Sequence, residues 1–66
     1  MIAFQVTDMT TARCASAVTK ALKAVDPKAV VRVDLATVTV EIEPSGASAR
    51  QLSDAIKRAG YSPVAA

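Results

Sequence analysis

The order of apolar repeats along the chain is the sequence feature that most restricts its fold. Every second residue of the stretch 2–6 is apolar, which predicts a half-buried strand. From Cys14 to Val25 the apolar residues recur at the spacing of one helix face, which predicts a first helix. Thr10 and Thr11 precede this stretch as N-cap candidates. Asp26-Pro27 predicts its end, because the residue before a proline disfavours the α region.

A second alternating stretch follows the first helix. Apolar residues alternate with polar ones over residues 31–35 and again over residues 38–43, which predicts two strands. The gap between them is short, so we expect an antiparallel hairpin with its turn around residues 35–37.

The last third of the chain predicts a second helix and a short final strand. Ser48 and Gln51 have the spacing of a capping box, which predicts the helix start. Gly60 fits the left-handed position just beyond the helix end. Residues 61–64 leave room for one strand, and Pro63 predicts that this strand lies at an edge or an end of the sheet.

The predicted order is therefore β-α-β-β-α-β, an α+β fold. The simplest packing places two helices on one face of a four-stranded antiparallel sheet, which is the ferredoxin-like sandwich. Each crossover is expected to be right-handed. With 66 residues the chain is one domain, and we assign residues 1–66 to it.

Composition excludes several functional classes. No apolar run approaches the roughly 18 residues of a membrane span, so no transmembrane segment is expected. The first eight residues do not resemble a secretory signal, so a cytoplasmic location is expected. The chain has one cysteine and no histidine, which excludes an internal disulfide, histidine-based catalytic triads and histidine-rich zinc sites. Its net charge of +2 falls short of the clustered basic footprint of a nucleic-acid-binding protein.

The loop between the first strand and the first helix contains the most reactive side chain. Cys14 falls about three residues into the helix if Thr11 is the N-cap. Free backbone N–H groups and the helix dipole favour a thiolate there, and Arg13 adds a positive charge. A thiolate binds soft metal ions or attacks electrophiles. The alternative is that Cys14 is a small packing residue on the buried helix face, as free cysteines often are.

The chain resembles the heavy-metal-associated domain family over nearly all its length. This family includes soluble copper chaperones, a periplasmic mercury-binding protein and the N-terminal domains of metal-transporting P-type ATPases. The family loop reads Gly-Met-Thr-Cys-x-x-Cys, and residues 8–14 here read Asp-Met-Thr-Thr-Ala-Arg-Cys. Further matches are Ala17-Val18, Ala21-Leu22, Val33-Asp34-Leu35, Val38-Thr39-Val40, Ala55-Ile56 and Ala59-Gly60-Tyr61.

The resemblance implies a metal site in which Cys14 is the ligand. Thr11 replaces the first metal-binding cysteine of the family, and a threonine hydroxyl is a poor ligand for Cu(I). Thr11 is explained either by a naturally degenerate member of the family or by a single engineered substitution in an ordinary member. We expect Thr11 to act as an N-cap. Met9 is expected to pack beneath the loop rather than to bind metal. Thr10 matches the family loop.

Two other parts of the chain acquire an expected role from the resemblance. Tyr61 looks like the residue that approaches the metal from the far side in bacterial copper chaperones; its alternative role is to cap the core at the sheet edge. The basic residues of the first helix and its end are either a solvated face or a docking surface for an acidic partner domain: Arg13, Lys20, Lys23 and Lys28.

The expected function is therefore a chaperone-like domain that binds Cu(I) through Cys14 and exchanges it with a P-type ATPase. Ag(I), Hg(II), Cd(II) and Zn(II) are the other candidate ions. A full site would need two chains sharing copper, or a small thiol such as glutathione. The alternative is a metal-independent interaction module. An enzyme is not expected, because a lone thiol lacks a histidine base, and the hairpin lacks the aromatic residues that RNA-binding sheets need.

Overall fold

The six predicted elements follow one another in the predicted order in the computed structural model, which describes residues 1–65. They are β1 (Ile2–Val6), α1 (Ala12–Val25), β2 (Val30–Asp34), β3 (Thr39–Glu43), α2 (Ala49–Arg58) and β4 (Pro63–Ala65). Within these residues, neither helix has the length and apolar character needed to cross a membrane.

The strands form one antiparallel sheet in the order β2-β3-β1-β4. β1 lies between β3 and β4, with Phe4 opposite Val40 on one side and Val6 opposite Pro63 on the other. Pro63 thus lies on an edge strand, as predicted, where a missing N–H interrupts no central ladder. The four-stranded sheet with two helices confirms the predicted ferredoxin-like fold.

The core lies between the sheet and the two helices. The alternation along β1 and β3 buries Phe4, Val6, Val40 and Ile42, and the apolar faces of the helices cover them. α1 contributes Val18 and Leu22, and α2 contributes Leu52, Ala55 and Ile56. Burial of this apolar surface is the main stabilising contribution that so short a chain has available.

Both predicted helix starts are confirmed by their hydrogen bonds. Thr11 is the N-cap of α1, and its hydroxyl oxygen accepts from the N–H of Cys14. Ser48 is the N-cap of α2 and forms a complete capping box with Gln51. The end of α2 is closed by Gly60, whose φ of +96° is in the region that favours glycine.

The turn of the hairpin is wider than predicted. Residues 35–38 all belong to it, so Leu35 and Val38 lie outside the strands in which the alternation had included them. The cause is the carboxylate of Asp34, whose Oδ1 accepts from the N–H groups of Ala36 and Thr37 and ends β2. Val38 then takes a φ of +49° before β3 begins.

The final strand begins later than predicted. It covers Pro63–Ala65 rather than residues 61–64, because the backbone of Tyr61 takes part in the cap that follows α2. The N–H of Tyr61 donates to the carbonyl of Ile56 at 3.3 Å, and that of Gly60 donates to Lys57 at 3.0 Å. These are the two bonds of a Schellman motif.

A buried carboxylate joins the end of α1 to the loop before α2. Oδ2 of Asp26 accepts from the backbone N–H groups of Ser45, Gly46 and Ala47 at 2.7, 3.0 and 3.2 Å. These donors, that of Gly46 foremost, hold the pKa of Asp26 below its ordinary value, because they favour the charged form.

Candidate metal site

The loop between β1 and α1 is anchored to the core at Met9. The N–H of Met9 donates to the carbonyl of Val6 at 3.1 Å, and its side chain is completely buried among the core residues. The thioether therefore lies under the loop, in the packing position that we expected. Residues 10–13 are exposed above it.

Thr11 and Cys14 form two reciprocal hydrogen bonds at the start of α1. The N–H of Cys14 donates to Oγ1 of Thr11 at 3.3 Å, and the Thr11 hydroxyl donates to Sγ of Cys14, also at 3.3 Å. Cys14 is the third residue of the helix and is partly buried, packing against the core. The cap thus orients the sulfur at the rim of the core, where solvent reaches it.

The surroundings of Cys14 favour its ionised form. They lower the pKa of its thiol from 9.0 to about 7. The Thr11 hydroxyl is the largest cause and the Tyr61 hydroxyl the second; partial burial opposes them, and backbone groups of Thr10 and Thr11 add to the lowering. At pH 7 about half of the molecules therefore carry a thiolate, the form that binds soft metals.

Tyr61 faces Cys14 from the loop between α2 and β4. Its side chain is partly buried and packs against the core. The interaction with Cys14 raises the pKa of Tyr61 above its ordinary value, because the phenol must remain protonated to donate to the sulfur. The fold therefore brings together three of the predicted site residues, Thr11, Cys14 and Tyr61, from two different loops.

The other predicted residues lie around this group. Thr10, which precedes Thr11, and Arg13, which precedes Cys14, are both exposed. The basic side chains at Lys20, Lys23 and Lys28 are exposed as well. One neighbour was not predicted: Asp8 accepts at Oδ1 from the N–H of Ser62, 3.2 Å away, next to Tyr61. No local signal in the sequence indicates this contact, since it joins residues 54 positions apart.

One chain supplies a single thiol at this site. In the part of the chain that the structure describes, no three histidine, cysteine or acidic side chains group together as metal ligands. Cys14 is the one cysteine of the sequence. A single chain thus offers a single thiolate, with two hydroxyl groups beside it.

The comparison with protein families decides the assignment. The model of the heavy-metal-associated domain matches residues 3–62. The chain belongs to the heavy-metal-associated domain family. Cys14, the third residue of α1, is the residue for which the resemblance predicts a metal ligand.

Solved structures of similar proteins agree with this family. The heavy-metal-associated domain described here is 38% identical to a gold-binding protein, with a TM-score of 0.93 over 100% of both chains. It is 38% identical to the copper chaperone Atx1 from Synechocystis PCC6803 in a trimeric form, with a TM-score of 0.92 over 97% of this chain and 100% of that one.

A third solved structure is the N-terminal domain of PacS from Synechocystis PCC6803. It is 29% identical, with a TM-score of 0.86 over 98% of this chain and 94% of that one. No curated protein sequence matches significantly. Family and neighbours together support a heavy-metal-binding domain.

Proposed function

We propose that this domain binds Cu(I) through the thiolate of Cys14 and exchanges it with a metal-binding domain of a P-type ATPase in the cytoplasm. The observation that carries the proposal is the Cys14 sulfur itself. It lies at the solvent-facing rim of the core, receives a hydrogen bond from Thr11, and has a pKa of about 7. About half of such thiols are ionised at neutral pH without the help of a base.

The preference for Cu(I) follows from the chemistry of this donor. A thiolate is a soft ligand, and Cu(I) is a soft ion that accepts two sulfur ligands in a near-linear arrangement. Thr11 supplies no second sulfur, and its hydroxyl is already engaged with Cys14. The second sulfur therefore comes from a second copy of the chain or from a small thiol such as glutathione. Ag(I) and Hg(II) share this preference for sulfur, and Cd(II) and Zn(II) are less favoured candidates.

The surface beside Cys14 supports exchange with an acidic partner. Arg13 directly precedes the thiol, and Lys20 and Lys23 are exposed further along α1. Positively charged groups around an exchange site raise the rate of encounter with a negatively charged domain and disfavour encounter with positively charged domains. This face is proposed as the docking surface.

An anaerobic Cu(I) titration against a competing chelator, combined with size-exclusion chromatography, tests the proposal. The chain as given, Cys14→Ala and Thr11→Cys are compared. We expect the given chain to bind at least half an equivalent and to dimerise as copper is added, and Cys14→Ala to do neither. Thr11→Cys should bind more tightly as a monomer, because both sulfurs then come from one loop.

Equal copper binding by the given chain and by Cys14→Ala would refute the proposed ligand. Tight binding by Thr11→Cys with none by the given chain would show a metallochaperone fold whose site has been lost through Thr11. These two results differ in the variant that binds, so each has one interpretation.

A metal-independent interaction module is the second candidate, and Thr11 favours it. The residue completes the N-cap of α1 with two hydrogen bonds to Cys14, and both bonds are made between protein groups alone. A partner domain that is retained equally by the given chain and by Cys14→Ala, with and without chelator, would support this module. Loss of the partner on chelation would exclude it.

A further inference from the structure

We propose that Asp8 is a positioning residue: its carboxylate holds the α2–β4 loop, which carries Tyr61, against the β1–α1 loop that leads into Cys14, so that Tyr61 stays beside the thiol. This inference deepens the proposed function, on which its consequence for metal exchange rests. Its structural part concerns the metal-free protein and stands independently.

The backbone pairing of β1 with β4 ends at Val6 and Pro63, so a side chain is needed to continue the link between the two segments beyond it. The ladder pairs Gln5 with Val64 and Val6 with Pro63. Pro63 has no N–H, so it cannot donate a further hydrogen bond to β1. The next N–H belongs to Ser62, and it donates to Oδ1 of Asp8 at 3.2 Å. The carboxylate therefore continues the link between the two segments beyond the last backbone pair.

The Asp8 end of this link is rigidly held. Asp8 lies between Val6 and Met9, whose side chains are both completely buried. The N–H of Met9 donates to the carbonyl of Val6 at 3.1 Å, which closes a tight turn around Asp8. The carboxylate is thereby presented from a fixed backbone, so its bond restrains the segment that it contacts.

The Tyr61 end is restrained from both sides. The N–H of Tyr61 donates to the carbonyl of Ile56, which ties it to the end of α2. The N–H of the following residue, Ser62, is held by Asp8. Without Asp8, the Tyr61 backbone is held by Ile56 on the helix side, while on the other side the pairing with β1 begins only at Pro63. The intervening loop, which begins with Gly60 at a φ of +96°, would then be less restrained.

Fixing Tyr61 has a consequence for Cys14. The aromatic side chain is partly buried against the same core as Cys14. Each of the two groups shifts the pKa of the other, which agrees with their proximity. A ring held in this place restricts the approach of thiols and metal complexes from its own side, while solvent still reaches the sulfur. Asp8 thus acts on Cys14 through Tyr61, without contacting the metal.

Proton NMR of the reduced, metal-free protein tests the positioning directly. The signal is the nuclear Overhauser effect between the Tyr61 ring protons and the β protons of Cys14; Tyr61 is the sole tyrosine of the chain. We expect Asp8→Ala to abolish the cross-peak. Asp8→Asn keeps an acceptor oxygen and should retain it. Asp54→Ala, which removes an exposed carboxylate from α2, is the matched control and should also retain it.

A cross-peak of unchanged intensity in Asp8→Ala would overturn the proposal. Equal loss in Asp54→Ala would also overturn it, because the effect would then be one of charge or general loosening. Amide spectra of each variant establish that it is folded. Neither NMR comparison involves metal, so this test remains valid even if the proposed copper site is refuted.

The metal-dependent arm measures how fast a chelator removes Cu(I). Asp8→Ala should release copper severalfold faster than the given chain, and Asp8→Asn at the unchanged rate. In a Tyr61→Ala background, Asp8→Ala should have no further effect. An equal acceleration with and without Tyr61 would contradict an action through the ring.

Discussion

Replacing Thr11 by valine tests how the loop controls the ionisation of Cys14. Valine has the shape of threonine without its hydroxyl, so both Thr11–Cys14 hydrogen bonds are lost. The Thr11 hydroxyl is the largest cause of the shift from 9.0 to about 7, so the pKa of Cys14 should rise towards 9.0. A complete return would lower the thiolate fraction at pH 7 from about one half to about one per cent.

The thiolate absorbance near 240 nm, followed against pH, measures this pKa, and the rate of alkylation gives an independent value. Thr11→Ser keeps the hydroxyl and serves as the matched control, with the pKa expected to stay close to 7. A Thr11→Val protein that titrates like the original would refute the assignment of the shift to this hydroxyl.

The same variant changes how stability depends on pH. The folded pKa of Cys14 lies below its unfolded value, so ionisation stabilises the folded state above pH 9, and this contribution disappears as pH falls through 7. The free energy of unfolding should therefore rise between pH 7 and 9 in the original chain and rise less in Thr11→Val. Loss of the N-cap adds a pH-independent cost of about 1 kcal/mol.

Three further predictions concern Met9, Asp26 and the glycines. Met9→Ala should lower the free energy of unfolding in urea by about 2–5 kcal/mol, since the side chain is fully buried. Met9→Leu, which nearly keeps the volume, should lower it by less than about 1.5 kcal/mol. Copper affinity should be unchanged in Met9→Leu; a lower affinity would indicate that the thioether binds the metal. Asp26→Asn should reduce the fall in the free energy of unfolding that we expect below pH 3.8, because the folded pKa of Asp26 lies below that value. An equal fall in thermal melts of both proteins would contradict this. Gly60→Ala should destabilise by roughly 1–2 kcal/mol, because its φ is +96°, whereas Gly46→Ala, with open space around it, should melt at nearly the original temperature.

The elements that were predictable from the sequence are those set by local patterns. The alternation in β1 and the spacing in α1 depend on neighbours a few residues apart, and the capping box of Ser48 and Gln51 is a purely local device. The strand boundaries that were predicted wrongly are set by a side-chain hydrogen bond in one case and by a helix cap in the other. The carboxylate of Asp34 ended β2 before Leu35, and the Schellman motif kept Tyr61 out of β4.

The site was predictable to the extent that one loop contains it. Thr11 as N-cap and Cys14 three residues later follow from the spacing of the helix start, and the family resemblance added Tyr61. The Asp8–Ser62 and Asp26–Ser45 contacts were not foreseen, because they join segments 54 and 19 residues apart. Such contacts depend on how the strands pair, and no short motif encodes them.

Native mass spectrometry of the reduced chain with Cu(I) and glutathione tests the central claim, that Cys14 is the metal ligand. We expect two species, a dimer that holds copper and a chain that carries one copper with one glutathione. Both should be absent from Cys14→Ala. The same copper-bearing species in Cys14→Ala, or none with the original chain, would contradict it.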